Sequence, residues 1–306
     1  MSAKFKLIVN PAAGNRAVAK TWHKLNTSLK DILDDFSAEF TEKAHDATRF
    51  TQQALANGCE TIIAVGGDGT MNEVVNGFFK DGKLINPEAR LGFISLGTGS
   101  DWIRTFGAER NITGAAERLM TGTVKNCDLG LVQCCDMQGK PTKRYFINVA
   151  DAGFGAAVAY RVNRSTKALG PFYSYFSALV RALFAFRNIP VKLSIDENCE
   201  EQVVFSVVAA NGQFFGGGMW IAPEARVDDG LFEVVIVEET SKFEVLANIS
   251  KIYKGTLQQN PKVRFVQAKK IQVETSSEAL VETDGEQAGR LPACFEILPG
   301  VINVIV

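Results

Sequence analysis

Apolar and polar positions follow two rhythms along residues 1–125. Phe5 to Val9 is a short β-branched run that stops at the turn sequence Asn10-Pro11-Ala12-Ala13-Gly14. Val18, Trp22, Leu25, Leu29 and Leu33 then recur three and four apart, the spacing of one helical face. Phe36 to Thr41 reads as a second strand. Asp46 reads as the N-cap of a helix through Ala56 that Asn57-Gly58 closes. Thr61 to Val65 predicts a third strand, Met71 to Phe79 a third helix and Leu91 to Leu96 a fourth strand. Such alternation predicts a parallel sheet covered by helices on both faces.

The second half keeps a different rhythm. Strand-like runs recur at Tyr145–Ala150, Val191–Ile195, Val203–Ala210, Leu231–Val237, Lys270–Glu274 and Ala293–Ile297, with few helices between them. The expected architecture is an α/β N-terminal domain with a parallel sheet (residues 1–125) and a mostly antiparallel β C-terminal domain (126–306). The last strand, Val301 to Val306, is compatible with either domain.

Composition narrows the function classes. With 306 residues, 46% hydrophobic and 22% charged, the chain has room for two packed cores. A net charge of −1 provides no global field, so no nucleic-acid partner is expected and any preference must be local. Six cysteines without a CxxC pair, and no signal peptide, point to a reducing cytoplasm. No apolar run is long enough to span a membrane. His23 and His45 have no metal-binding spacing, which disfavours zinc hydrolysis and a Ser-His-Asp triad.

Gly66-Gly67-Asp68-Gly69-Thr70 lies directly after one strand and before a helix. Glycine amides at a helix N-terminus can approach phosphate oxygens closely. No Walker GxxxxGK[ST] or GxGxxG occurs. An acid inside such a loop makes sense when a divalent cation lies between carboxylate and phosphate. A bare GG turn is otherwise structural.

The longer string Gly66-Gly67-Asp68-Gly69-Thr70-Met71-Asn72-Glu73-Val74-Val75-Asn76-Gly77 resembles the GGDGTxxEVxNG signature of the diacylglycerol kinase-type lipid kinases. Further matches follow along nearly the whole chain. They are Asn10 to Gly14, Leu96-Gly97-Thr98-Gly99-Ser100-Asp101, Asn148 to Gly155, Pro223 to Leu231, and Asp284-Gly285-Glu286. Ser100 stands where that family usually has Asn, Leu96 where it often has Pro, and Asp151 where a small residue is commoner. The resemblance implies a phosphofructokinase/NAD kinase-like first domain that binds ATP and Mg²⁺. It implies a nucleotide site of Asn10, Pro11, Ala12, Ala13, Gly14, Thr41, Gly66, Gly67, Asp68, Gly69, Thr70, Met71, Asn72, Glu73 and Thr98. Thr41 is otherwise a satisfied residue at a strand end. It also implies a second cation held by the carbonyls of Arg226 and Leu231 and the carboxylate of Asp229; the alternative is a simple Asp-Gly turn.

A lipid hydroxyl needs a proton acceptor as it attacks. Asp284 or Glu286 is expected to fill that role, the other orienting it or joining the metal network with Asp68. Without the resemblance, the same residues read as a hairpin turn carrying two solvated acids. Between Ala152 and Ile195 there is no Asp or Glu, but Arg161, Arg164, Lys167, Arg181, Arg187 and Lys192 occur. Phe172, Phe176, Leu179, Leu183 and Phe186 fall there at helical spacing. This segment is either a contact with an anionic bilayer or a helix packed on the β domain.

The expected function is ATP-dependent phosphorylation of diacylglycerol or a similar lipid alcohol by a cytoplasmic protein, peripheral at the membrane surface that holds its lipid substrate. A homodimer is the assembly considered. The alternatives are an NAD kinase-like phosphotransferase and a nucleotide-binding regulator without activity.

Overall fold

A computed structural model describes residues 4–33, 35–97, 99–107, 112–164 and 179–306. The chain forms two compact units, Met1–Asp128 with Pro299–Val306, and Leu129–Leu298.

In the first unit the strands Phe36–Phe40, Phe5–Val9, Thr61–Gly66 and Arg90–Ser95 lie side by side in that order, each pair parallel. The end of the last strand, Glu286–Ile305, joins this sheet: Asn303 and Val304 pair parallel with Arg90 and Leu91. A parallel sheet is covered on both faces, and Thr61–Gly66 is accordingly buried at every position. Leu7, Val9, Ile63, Val65 and Ile94 pack with Val18, Leu25 and Leu29 of the helix Ala13–Lys30. Ala115, Ala116 and Leu119 of the helix Ile112–Thr121 complete that layer. Alternation turns the equally buried Ile8, Ile62 and Ala64 to the other face, where the helices Asp46–Ala56 and Asp68–Gly77 pack together.

Two helix starts differ from the pattern-based expectation. Asp46 opens its helix instead of capping it. His45 takes the cap position at φ 68, and the Asp46 carboxylate reaches back to the amides of Glu42 and Lys43, each at 3.0 Å. The next helix begins at Asp68, three residues before the apolar periodicity does, because the glycine loop forms its first turn.

The second unit runs antiparallel through Val263–Ala268, Phe232–Glu238, Asn198–Ala210, Ile189–Ile195, Lys270–Glu274 and Glu286–Ile305. Val149–Gly153 pairs with both Asn198–Ala210 and Leu280–Thr283. Phe146 and Phe232 stack at 5.7 Å within the core of this unit. The unit holds more helix than its strand-rich pattern predicts: Phe154–Arg164, residues 179–185 and Lys242–Tyr253. The last is announced by a capping box, in which Ser241 accepts the Glu244 amide and Glu244 accepts the Ser241 amide.

Lys167, Phe172, Tyr173, Tyr175, Phe176 and the side chain of Arg164 lie outside the described residues. Leu183 is buried and Phe186 packs against the core cluster. Among the described residues no helix is long and apolar enough to cross a membrane.

Candidate phosphate-binding loop and acid turn

Three loops meet at the carboxyl ends of the first unit's central strands. Asn10 donates from Nδ2 to Thr70 Oγ1 at 3.0 Å, and its own Oδ1 accepts the Ala12 amide. One side chain thus ties the Asn10–Gly14 turn to the glycine loop. The backbone is left-handed over Gly14, Asn15 and Arg16, at φ 61, 56 and 65, before the regular helix starts. Pro11 to Gly14 remain at least partly exposed on this edge. Thr41 belongs to the same edge, its amide donating to the Val9 carbonyl at 2.9 Å. Thr98 lies outside the described residues.

Gly67, which has no side chain, takes the N-cap position of the helix Asp68–Gly77. A helix N-terminus of this kind is the positive end at which an anion is stabilised. Gly97 comes so close that a Cβ on it would sit 2.5 Å from the Gly67 Cα. Position 97 therefore has no room for a side chain, whereas a Cβ on Gly67 would keep an ordinary 3.5 Å from Gly97.

Asp68 is half-buried and accepts the Asp101 amide at 3.1 Å. Both carboxylates border Gly99: a Cβ there would lie 2.6 Å from Asp68 Oδ2 and 3.5 Å from Asp101 Oδ2. Asp101 was not among the expected site residues. Its signal was the Asp that ends the Leu96–Asp101 match, which on its own reads as a helix start. Ser100 is buried at φ 53 and its hydroxyl bonds Ser95, so it serves the loop's own structure.

The other expected members of the string hold the loop from behind. Met71 and Asn72 are fully buried. Glu73 accepts the amides of His45 and Ala47 at 3.0 and 3.2 Å, fastening the neighbouring helix start. Thr70 is buried against Asn10, and Gly66 ends the central strand.

In the second unit Asp284 and Gly285, at φ 51 and 82, form a two-residue hairpin turn closed by the Thr283–Glu286 pair. Gly285 at its tip is exposed, while both acids are half-buried. Asp284 accepts three backbone amides, from Ile147, Asn148 and Val149, at 3.0, 3.0 and 3.1 Å. Beneath it Glu282 accepts the Gly285 amide at 2.7 Å. Glu282 stands opposite Asp151 in the strand register. Asp151 accepts the Ala156 amide at 3.0 Å and a hydrogen bond from Ser206. Burial pushes the Asp151 carboxyl up to about 6. Glu282 is pushed well above the usual carboxylate range, by burial and then by Asp151 beside it. Burial raises both carboxyls by itself, and for Glu282 the neighbouring Asp151 adds to it. Glu286 is half-buried at the end of this turn.

Asp229 accepts the Leu231 amide at 3.0 Å within its own turn, and Gly230 takes φ 72. Arg226 and Asp228 pair at 3.6 Å. Among the described residues no group of three or more His, Cys, Asp or Glu side chains is placed to hold a metal.

This geometry places a glycine-rich candidate phosphate loop on an α/β unit that an antiparallel β unit follows. Comparison with known proteins gives the same division. A diacylglycerol kinase catalytic domain profile matches residues 4–132, and a YegS C-terminal NAD kinase beta sandwich-like domain matches residues 148–306. A diacylglycerol kinase of Staphylococcus epidermidis is 30% identical over 298 residues, 96% of this chain and 89% of that protein. A crystal structure of a Bacillus anthracis diacylglycerol kinase superposes with a TM-score of 0.73 at 26% identity, covering 100% of this chain and 97% of the other. Yeast NADH kinase in complex with NADH, at 10% identity and TM-score 0.50 over 99% of this chain and 83% of its own, shares the fold alone. The protein is a kinase. It belongs to the diacylglycerol kinase family.

Proposed function

We propose that the enzyme transfers the γ-phosphoryl group of ATP to the hydroxyl of diacylglycerol or a similar long-chain lipid alcohol. The observation that carries this reading is the bonding of Asn10 to Thr70 and of Asp68 to the Asp101 amide, which joins three strand-end loops at the N-terminus of the helix Asp68–Gly77. Asn10 to Gly14, Thr41, Gly66 to Thr70 and Thr98 hold the nucleotide; Met71, Asn72 and Glu73 keep the loop in shape.

The donor set suits Mg²⁺, which needs only one or two carboxylates beside water and phosphate oxygens. Asp68 and Asp101 provide that pair, with Gly99 leaving room for it. Bound there, Mg²⁺ would neutralise charge on the transferring phosphoryl group. Arg226, Asp229 and Leu231 form the proposed second cation site, of structural purpose.

Of the two acids in the turn, Glu286 is the proton acceptor in this reading. The Asp284 carboxylate already receives three backbone amides, which suits it to hold the turn in place. As the lipid hydroxyl attacks, Glu286 takes its proton while the bond from γ-phosphorus to the bridging oxygen of ADP breaks. The protein works in the cytoplasm, peripheral at the membrane surface where such lipids reside.

Transfer of radiolabelled γ-phosphate from ATP to a panel of lipid alcohols, with NAD as competing acceptor, tests the proposal. Label on a lipid alcohol supports it. Label only on NAD, or on neither, overturns it.

A further inference from the structure

The second unit exposes apolar side chains from two separate elements in one place. Phe184, in the helical stretch 179–185, is 58% exposed, and Phe243, in the first turn of the helix Lys242–Tyr253, is 82% exposed. Lys242 ties the two together: its ammonium donates to the Phe184 carbonyl and lies 5.6 Å from the Phe184 ring centre. Farther along the same helix Leu246 and Tyr253 are 42% and 52% exposed, and none of its residues is buried. Positions 243, 246 and 253 fall within one side of a helix at 100° per residue. An isolated exposed phenylalanine needs no explanation, but a set from two elements does.

Beside Phe243 lies a groove of about 340 Å³ lined by Leu183, Phe186, Phe205, Arg187 and Lys242. Arg181 and Arg187 are exposed beside it, in the stretch that contains no acid. The helix's own acid, Glu244, is engaged by Lys262 at 2.7 Å and by its cap, leaving Glu239 as an exposed acid of the adjoining turn. The patch therefore couples protruding aromatics to a net basic border.

We infer that the face formed by Phe184, Phe243, Leu246 and Tyr253, bordered by Arg181, Arg187 and Lys242, docks on an anionic phospholipid bilayer. Rings as exposed as Phe243 enter the boundary between headgroups and acyl chains, while guanidinium and ammonium groups stay among the phosphates. The complementary charge selects the bilayer over a second copy of the chain, whose identical basic border would repel this one. The inference rests on the lipid-substrate reading above, and it lies outside the residues assigned to phosphoryl transfer.

Co-sedimentation with vesicles of phosphatidylcholine, alone or mixed with phosphatidylglycerol, tests it. Joint replacement Phe184→Ser and Phe243→Ser should weaken binding to both vesicle types by about tenfold or more, the scale of losing a buried phenyl group. Joint replacement Arg181→Gln and Arg187→Gln should remove the preference for the anionic mixture and leave binding to phosphatidylcholine unchanged, and salt should do the same, given a Debye length of about 8 Å. Both variants should melt as wild type does and should phosphorylate a short-chain, water-soluble diacylglycerol at the wild-type rate. That rate separates failure of docking from failure of the kinase reading. Wild-type vesicle binding by the double serine variant would overturn the inference. So would a wild-type dimer in sedimentation velocity that the serine changes dissociate without affecting vesicle binding.

Discussion

Asp151 offers the most direct test of how the acid turn is held. We predict that Asp151→Asn is more stable than wild type above pH 7 and loses that advantage below pH 5. The carboxyl is wholly buried against Glu282 and Ser206, and burial raises it from 3.8 to about 6. An acid with a higher pKa folded than unfolded keeps its proton longer in the native state. Stability therefore falls as pH rises from about 4 through about 6, and the loss is complete near pH 7. A rise from 3.8 to about 6 corresponds to about 3 kcal/mol. Asparagine has no charge to desolvate. Its oxygen can still accept the Ala156 amide, and its nitrogen can donate to the Ser206 oxygen. Exchanging charge-assisted bonds for neutral ones returns about 1 kcal/mol of that gain. The variant should thus lead by about 1–2 kcal/mol at pH 8 and be level or behind at pH 4. Removing the Asp151 charge also eases the ionisation of Glu282, which acts in the same direction and adds to the gap at high pH. Urea unfolding of the two proteins at pH 4, 6 and 8, at constant ionic strength, reads the difference directly. A gap that does not change with pH would show that Asp151 does not titrate as a desolvated acid, and the reasoning would fail.

Asp68→Ala should abolish phosphoryl transfer while changing stability by about 1 kcal/mol, the scale of losing a half-buried carboxylate's bond to the Asp101 amide; retained turnover in an intact variant would remove Asp68 from the site. Glu286→Gln should lower kcat by about 10²-fold or more with unchanged melting. Asp284→Asn should also cost about 1–3 kcal/mol in urea unfolding, because an amide nitrogen would face amides that now donate to a carboxylate. Equal melting of those two variants would contradict the division of roles. Gly97→Ala should lower stability by about 1–3 kcal/mol and weaken ATP binding, because its Cβ meets backbone at 2.5 Å. Gly67→Ala, whose Cβ would lie 3.5 Å from Gly97, should leave melting unchanged, so equal thermal shifts would refute the close crossing.

Much of the site could be read from local sequence because its parts are local. The buried strand, glycine loop and helix of residues 61–77 follow one another without a break, so periodicity and turn chemistry sufficed to find them. Asp284-Gly285 announces a tight turn by composition, and the turn forms. The helix Lys242–Tyr253 had a legible start in Ser241 and Glu244, but its apolar positions carry no clean stripe, since no residue in it is buried. The strand Val263–Ala268 likewise escaped the strand pattern.

What the sequence by itself determined is therefore the strand–helix alternation of the first unit, the glycine loop and the acid-bearing turn, each encoded within neighbouring residues. Only the tertiary structure decided which distant residues meet. Asp284 finds the amides of residues 147–149, Glu282 is set opposite Asp151, Asp101 closes on Asp68, and Phe184 is joined to Lys242. The physical reason is register. A shift of one residue in the pairing of residues 149–153 with 280–283 would turn Glu282 to the opposite face of the sheet, and nothing in either segment alone forbids it. The packing of both layers selects one register, and with it the pair of acids beneath the turn.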